Sequence, residues 1–161
     1  MNSNEQLIEK FYTSFQQKNW KGMQECYHTD VVFNDPVFQN LKGKEAFAMW
    51  HMLISAGKDL TLSFKNIKSN DLSGSCQWDA FYTFSRTGRK VHNIIQAEFK
   101  FKNGKIIEHN DSFDLWRWSR MALGVSSVLL GWSPIVQNKI KGTAKSSLRK
   151  FITEHPEYKN L

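Results

Sequence analysis

The spacing of apolar residues specifies an α+β domain, with helices first and an antiparallel meander after them. Three observations carry this reading. Apolar residues recur at helical spacing in segments before Gly57; they alternate with polar residues between Leu60 and Trp116; and turn residues interrupt that alternation at Ser69-Asn70-Asp71, Thr87-Gly88 and Asn103-Gly104. A chain of 161 residues has the length of one domain.

Ser3 and Gln6 have the spacing of a capping box, and Leu7, Ile8, Phe11 and Phe15 then share one face of a helix expected to reach Lys18. Trp20 to Tyr27 reads as a second short helix, ending in His28-Thr29-Asp30. Val31-Val32-Phe33 is a short strand stopped by Asn34-Asp35-Pro36, because proline restricts the residue before it and cannot donate to a sheet ladder. A third helix is expected from Lys44 to Ala56, with Phe47, Trp50, Leu53 and Ile54 on one side and Gly57 as its stop. His51 should face away from the interior, as should His92 on its strand.

The strands come next: Leu60 to Ile67, Ser75 to Arg86, Arg89 to Phe101, and Ile106 to Trp116. Residues opposite one another in a sheet must point to the same side, which constrains the loops. A two-residue loop at Thr87-Gly88 satisfies this by pairing Phe84 with Val91, Tyr82 with Asn93, Ala80 with Ile95 and Trp78 with Ala97. A two-residue loop at Asn103-Gly104 would set Phe99 against Glu108, so a three-residue loop from Lys102 to Gly104, pairing Phe99 with Ile107, is expected instead. Two rungs then cross the sheet: Trp78, Ala97 and His109, and beside it Ala80, Ile95 and Asp111. The alanines leave room above the polar groups, as the floor of a cavity would.

The last strand holds the chemical anomaly of the chain. It places Ile107, His109, Asp111, Phe113 and Leu115 on one face, so an apolar face carries an imidazole and a carboxylate about 7 Å apart along the strand. Burying a carboxylate is costly unless it is paired or used.

Twelve Phe, six Trp and four Tyr can build a core and also line a pocket for a flat apolar ligand. Cys26 and Cys76 form neither a metal pattern nor a disulfide framework, which suits a reducing compartment. The first residues lack the apolar run of a signal peptide and no stretch has the length of a membrane span, so a soluble cytoplasmic protein is expected. There is no Gly-rich phosphate loop, and a metal beside His109 and Asp111 would have only Asp35 as a third ligand; neither cofactor nor metal is expected.

After Trp116 the helical period returns. Trp116 to Trp132 reads as one amphipathic helix and Ser133-Pro134 opens another, with Val136, Ile140, Ala144, Leu148 and Ile152 on its apolar side. Residues 1–116 are nearly neutral, whereas residues 117–161 hold eight Lys and Arg against two Glu, so +6 of the net +7 lies in this extension. The cations are read first as the solvated side of a helix packed on the same domain, with membrane contact as a secondary use and no nucleic-acid partner.

Several features together resemble the nuclear transport factor 2-like superfamily, in particular its SnoaL-like and ketosteroid isomerase-like members. They are Phe11-Tyr12, the Asn19-Trp20-Lys21-Gly22 to Tyr27 pattern, Asn34-Asp35-Pro36-Val37, Gly43, Gly88-Arg89-Lys90, the run Phe99 to Lys105, and His109-Asn110-Asp111, spanning roughly residues 5 to 116. The resemblance implies a cone-shaped, strongly curved sheet wrapped around a pocket that helices close. It also implies a homodimer through the outer sheet face, where Phe81 and Ile94 would lie. Asp35 matches the aspartate that serves the isomerases as general base. Phe11 and Ala97 stand where those enzymes carry their two oxyanion donors, so steroid isomerisation itself lacks its donors here. SnoaL-like cyclases place acid/base groups on the last strands, which His109 and Asp111 match. The Asp-Arg-Asp arrangement of the superfamily's epoxide hydrolases has no counterpart, because no arginine of the meander faces inward.

The expected catalytic groups are therefore Asp35, His109 and Asp111, with Tyr82 and Asn93 as hydrogen-bond donors and Trp50, Trp78, Phe84 and Phe113 lining the ligand. Each has a plainer role: an Asx turn for Asp35, a satisfied buried pair for His109 and Asp111, core packing for the rings. Two functions fit these groups. One is proton transfer on an apolar carbonyl or polycyclic substrate, as isomerase, cyclase or hydrolase; the other is non-catalytic binding of a hydrophobic ligand by the same cavity.

Overall fold

Residues 2–125 and 133–159 are described in the structure, a computed structural model. Asn2 caps helix α1 (Ser3–Gln16): its side chain accepts from the Glu5 amide at 2.9 Å, and the Glu5 carboxylate accepts from the Asn2 amide at 3.1 Å. The capping box thus sits one residue before the expected Ser3 and Gln6 pair, and it brings a carboxylate to the positive end of the helix. Helix α2 (Trp20–Cys26) stops short of Tyr27, which is already extended and opens strand β1 (Tyr27–Asn34). This strand is longer than Val31 to Phe33 and takes in the residues expected to end the helix. A short β2 (Leu41–Lys42) leads to α3 (Lys44–Ala56), which occupies the span its apolar spacing indicates.

The meander consists of β3 (Thr61–Ser69), β4 (Ser73–Phe84), β5 (Arg89–Lys102) and β6 (Lys105–Ser112). The sheet runs in the order β2-β1-β6-β5-β4-β3, with β1 and β6 parallel and every other neighbouring pair antiparallel.

Both expected hairpin registers are corrected. The β4–β5 loop takes in Ser85 to Gly88, so Phe84 pairs with Arg89, Tyr82 with Val91, Ala80 with Asn93, Trp78 with Ile95 and Cys76 with Ala97. A slip of two residues keeps every side chain on its face, which is why alternation alone does not reveal it. At the β5–β6 hairpin the two-residue turn forms, with Asn103 at φ 53° and Gly104 at φ 71°, the positive values that a type I′ turn requires. A bulge removes the mixing of faces: Phe101 pairs with Ile106 and Lys100 with Glu108, leaving Ile107 unpaired, and Ile106 takes the buried position expected of Ile107. The rungs that cross the sheet are Gly74, Phe99 and His109, and Cys76, Ala97 and Asp111.

Helices α1 and α3 pack on the buried face of the curved sheet, and Phe11, Phe15, Phe33, Trp50, Trp78 and Phe99 fill the space between them. This is the cone-shaped α+β architecture, with one parallel contact in its sheet. Beyond it, α4 (Leu115–Leu123) is capped by Asp114 and lies along β5, where Thr87 Oγ1 donates to Ala122 O and Arg89 Nε to Met121 O. Gly124, at φ 76°, ends α4 well before Trp132; the remainder of that expected helix, residues 126–132, lies outside the described residues. Helix α5 (Pro134–Glu154) begins as expected with Ser133 as cap and packs on α3 around Leu148. His51 turns away from the interior towards this helix, and Tyr158 accepts a bond from Gln24 at 2.9 Å and lies 3.1 Å from the His51 ring nitrogen.

Candidate active site

The parallel contact between β1 and β6 sets Phe33 opposite His109 and Asn34 opposite Asn110, and it brings Asp35, the residue after β1, towards Asp111. Asp35 makes the Asx turn that its place before Pro36 suggested: Oδ1 accepts from the amides of Val37 at 2.6 Å and Phe38 at 2.5 Å. Its carboxyl is nonetheless pushed up to about 7, by burial first and by the Asp111 charge in addition, against the opposing pull of those two amides. Oδ2 takes no hydrogen bond from the described residues.

Asp111 lies beside Ala97, as a carboxylate needing space would, whereas His109 lies against Phe99 with ring centroids 4.5 Å apart. Phe11, Phe33 and Trp50 close around the imidazole, which is fully buried. A hydrogen-bonded chain runs through it. Trp50 Nε1 donates to the Tyr27 hydroxyl at 2.8 Å, that hydroxyl is 2.6 Å from His109 Nδ1, and His109 Nε2 is 2.9 Å from Asp111 Oδ1. Indole can only donate, so the arrangement satisfying every group has Tyr27 donating to Nδ1 and Nε2–H donating to the carboxylate. Burial holds the Tyr27 phenol well above its usual range, which keeps it a donor. Trp78 Nε1 adds a long contact to the same Asp111 oxygen at 3.5 Å.

Of the expected ligand-lining residues, Trp50 and Trp78 therefore touch this chain directly. Asn93 is buried beside Ala80, not Tyr82. The Tyr82 hydroxyl accepts from Trp118 Nε1 at 2.7 Å and Phe84 meets the same indole edge to face, so both belong to the contact with α4. Phe113 is half-buried at the end of the site strand. A groove of about 550 Å³ between Lys68, Asn70, Glu98 and Lys100 contains none of Asp35, His109 and Asp111.

Two residues escape a sequence reading. Tyr27 is hidden because it sits at the junction of helix and strand, and only its parallel neighbour β6 reveals which way it points. Tyr12 is fully buried, its hydroxyl has no hydrogen-bond partner among the described residues, and the Asp111 charge acts on it. Among the described residues no group of three or more His, Cys, Asp or Glu converges as metal ligands would.

A cone-shaped sheet with helices packed on its buried face is the architecture of the NTF2-like superfamily. The model of the SnoaL-like domain matches residues 8–109, and the chain belongs to that family. No curated protein matches it. Among solved structures, it is similar to an NTF2-like protein of unknown function from Burkholderia pseudomallei, with 18% identity, TM-score 0.65, and coverage of 75% of this chain and 98% of that one. It is also similar to an epoxide hydrolase from M. tuberculosis (13% identity, TM-score 0.61, 80% and 96% covered). A third likeness is to a candidate polyketide cyclase from Xanthomonas campestris (17% identity, TM-score 0.61, 71% and 93% covered). At these identities the likenesses speak for the fold.

Proposed function

We propose that the protein is an acid/base enzyme that moves a proton on a small apolar carbonyl or polycyclic compound. The observation that carries this is the buried chain from Trp50 through Tyr27 and His109 to Asp111. A carboxylate held by a neutral imidazole at one oxygen keeps the other free to take a carbon-bound proton. His109 positions Asp111 and stabilises its charge but touches no substrate, being enclosed by aromatic rings. Asp35, with its carboxyl near 7, can arrive protonated at neutral pH and deliver a proton to the carbonyl oxygen. Two carboxyl groups in unlike environments thus divide the acid and base roles. The neighbours named as candidate cyclase and epoxide hydrolase support small-molecule chemistry; hydrolysis of an epoxide is the weaker fit without an inward arginine.

The same reading includes a cytoplasmic setting, and a second copy of the chain on the outer sheet face, where Phe81 and Ile94 are 42% and 38% exposed. It takes residues 117–161 as part of the same folding unit as residues 1–116.

The test is exchange of the α-protons of 2-tetralone with deuterated solvent, followed by mass spectrometry, beside 2-tetralone affinity read from tryptophan quenching. Asp111→Asn is expected to slow exchange by about 10²- to 10⁴-fold while affinity stays within a few fold. Binding without any enzyme-dependent exchange would instead make this a ligand-binding protein.

A further inference from the structure

Helix α5 is held to the body on one side only. Leu148 is buried, and Ala144, Phe151 and Ile152 are half-buried beside it. At about 100° per residue the side opposite Leu148 presents Ile135, Lys139 and Lys150, and Lys145 and Arg149 lie on its flank, all exposed. Of these cations only Lys150 has an ion pair among the described residues, with Glu154 at 3.9 Å. Ile135 is 79% exposed in the first turn, and Val125, at the end of the preceding described segment, is 68% exposed. One exposed aliphatic side chain is ordinary. Here two of them bracket a stretch in which no residue between Arg120 and Lys139 is charged, within an extension of eight cations and two acids.

We propose that the exposed face of α5 docks on the surface of an anionic lipid bilayer, its cations on the phosphates and Ile135 among the headgroups. A nucleic acid would use the same cations but would leave the aliphatic residues without a role. No helix among the described residues is long and apolar enough to cross a membrane, so the contact is one of surface attachment. It places the site of a protein handling apolar compounds beside the phase in which they dissolve, and its test does not depend on the reaction.

The full chain is floated with vesicles of phosphatidylcholine alone, and of phosphatidylcholine with phosphatidylglycerol, at low salt and at about 0.5 M salt. Binding is expected only to the phosphatidylglycerol vesicles and to fall at high salt. The combined change Lys139→Gln, Lys145→Gln and Arg149→Gln should weaken it roughly 100-fold, at about fivefold per cation. Ile135→Asp should weaken it about tenfold. All four positions are exposed, and an unchanged melting temperature separates lost docking from lost fold. Absence of binding to anionic vesicles, or full binding by the triple variant, overturns the proposal. So does tighter binding to a duplex DNA oligonucleotide that is lost with the cations and indifferent to Ile135→Asp.

Discussion

Asp35 combines two properties that usually exclude each other, an oxygen bound by two amides and a carboxyl that holds its proton to about pH 7. The amides favour the charged form and burial opposes it; burial is the larger effect. Because the folded pKa lies above the ordinary 3.8, the folded state binds the proton more tightly than the unfolded chain. The stabilisation is complete below 3.8 and is lost as pH rises through 7. The unfolding free energy from denaturant titration should therefore fall by about 2 kcal/mol between about pH 5 and pH 8, after allowance for partial exposure. Asp35→Asn keeps an oxygen for the Val37 and Phe38 amides and cannot ionise, so that fall should disappear. An unchanged slope in the variant would assign the pH dependence to other groups. Tyr12 offers a second test at this scale. A buried hydroxyl without a partner is a cost, so Tyr12→Phe should raise stability by about 1 kcal/mol in the same titration. A loss of similar size would mean that the hydroxyl is bonded.

At the scale of elements, the local code reads well where a short-range rule applies. α3 and the start of α5 fall on their expected residues because apolar spacing and caps act within a few positions. Hairpin register is harder, since parity fixes the face of a side chain but not its partner. The β4–β5 slip preserves parity, and the bulge at Ile107 restores it after the short turn, so neither leaves a mark on the alternation. The chemical consequence is specific. His109 moves from a place beside Ala97 to one against Phe99, which turns an expected cavity-floor imidazole into an enclosed one that is hydrogen-bonded to Asp111. The identity of the anomalous face, with His109 and Asp111 both pointing inward, was legible from the two-residue period alone. The partner Tyr27 was not, because its role depends on a parallel contact between strands nearly eighty residues apart.

For the whole molecule, the helical extension is the part whose relation to the cone is least visible in sequence. Leu148, at 4% exposure, is its buried anchor on α3, with Phe151 and Tyr158 beside it. Leu148→Ala should lower the unfolding free energy by about 3 kcal/mol. If the extension and the cone are one unit, thermal unfolding followed by circular dichroism and by tryptophan fluorescence will shift together as a single transition. An early transition seen by one probe only would make the extension a separate unit.

The class of fold, the inward pair His109 and Asp111, the turn at Asp35 and the uneven charge of the tail are written in local order, because periodicity, proline and charge act through neighbours in the chain. The hydrogen-bonded chain through Tyr27, the enclosure of His109, the raised carboxyl of Asp35 and the one-sided attachment of α5 arise only when distant segments meet. Burial and strand register are properties of that meeting, and no short stretch contains them.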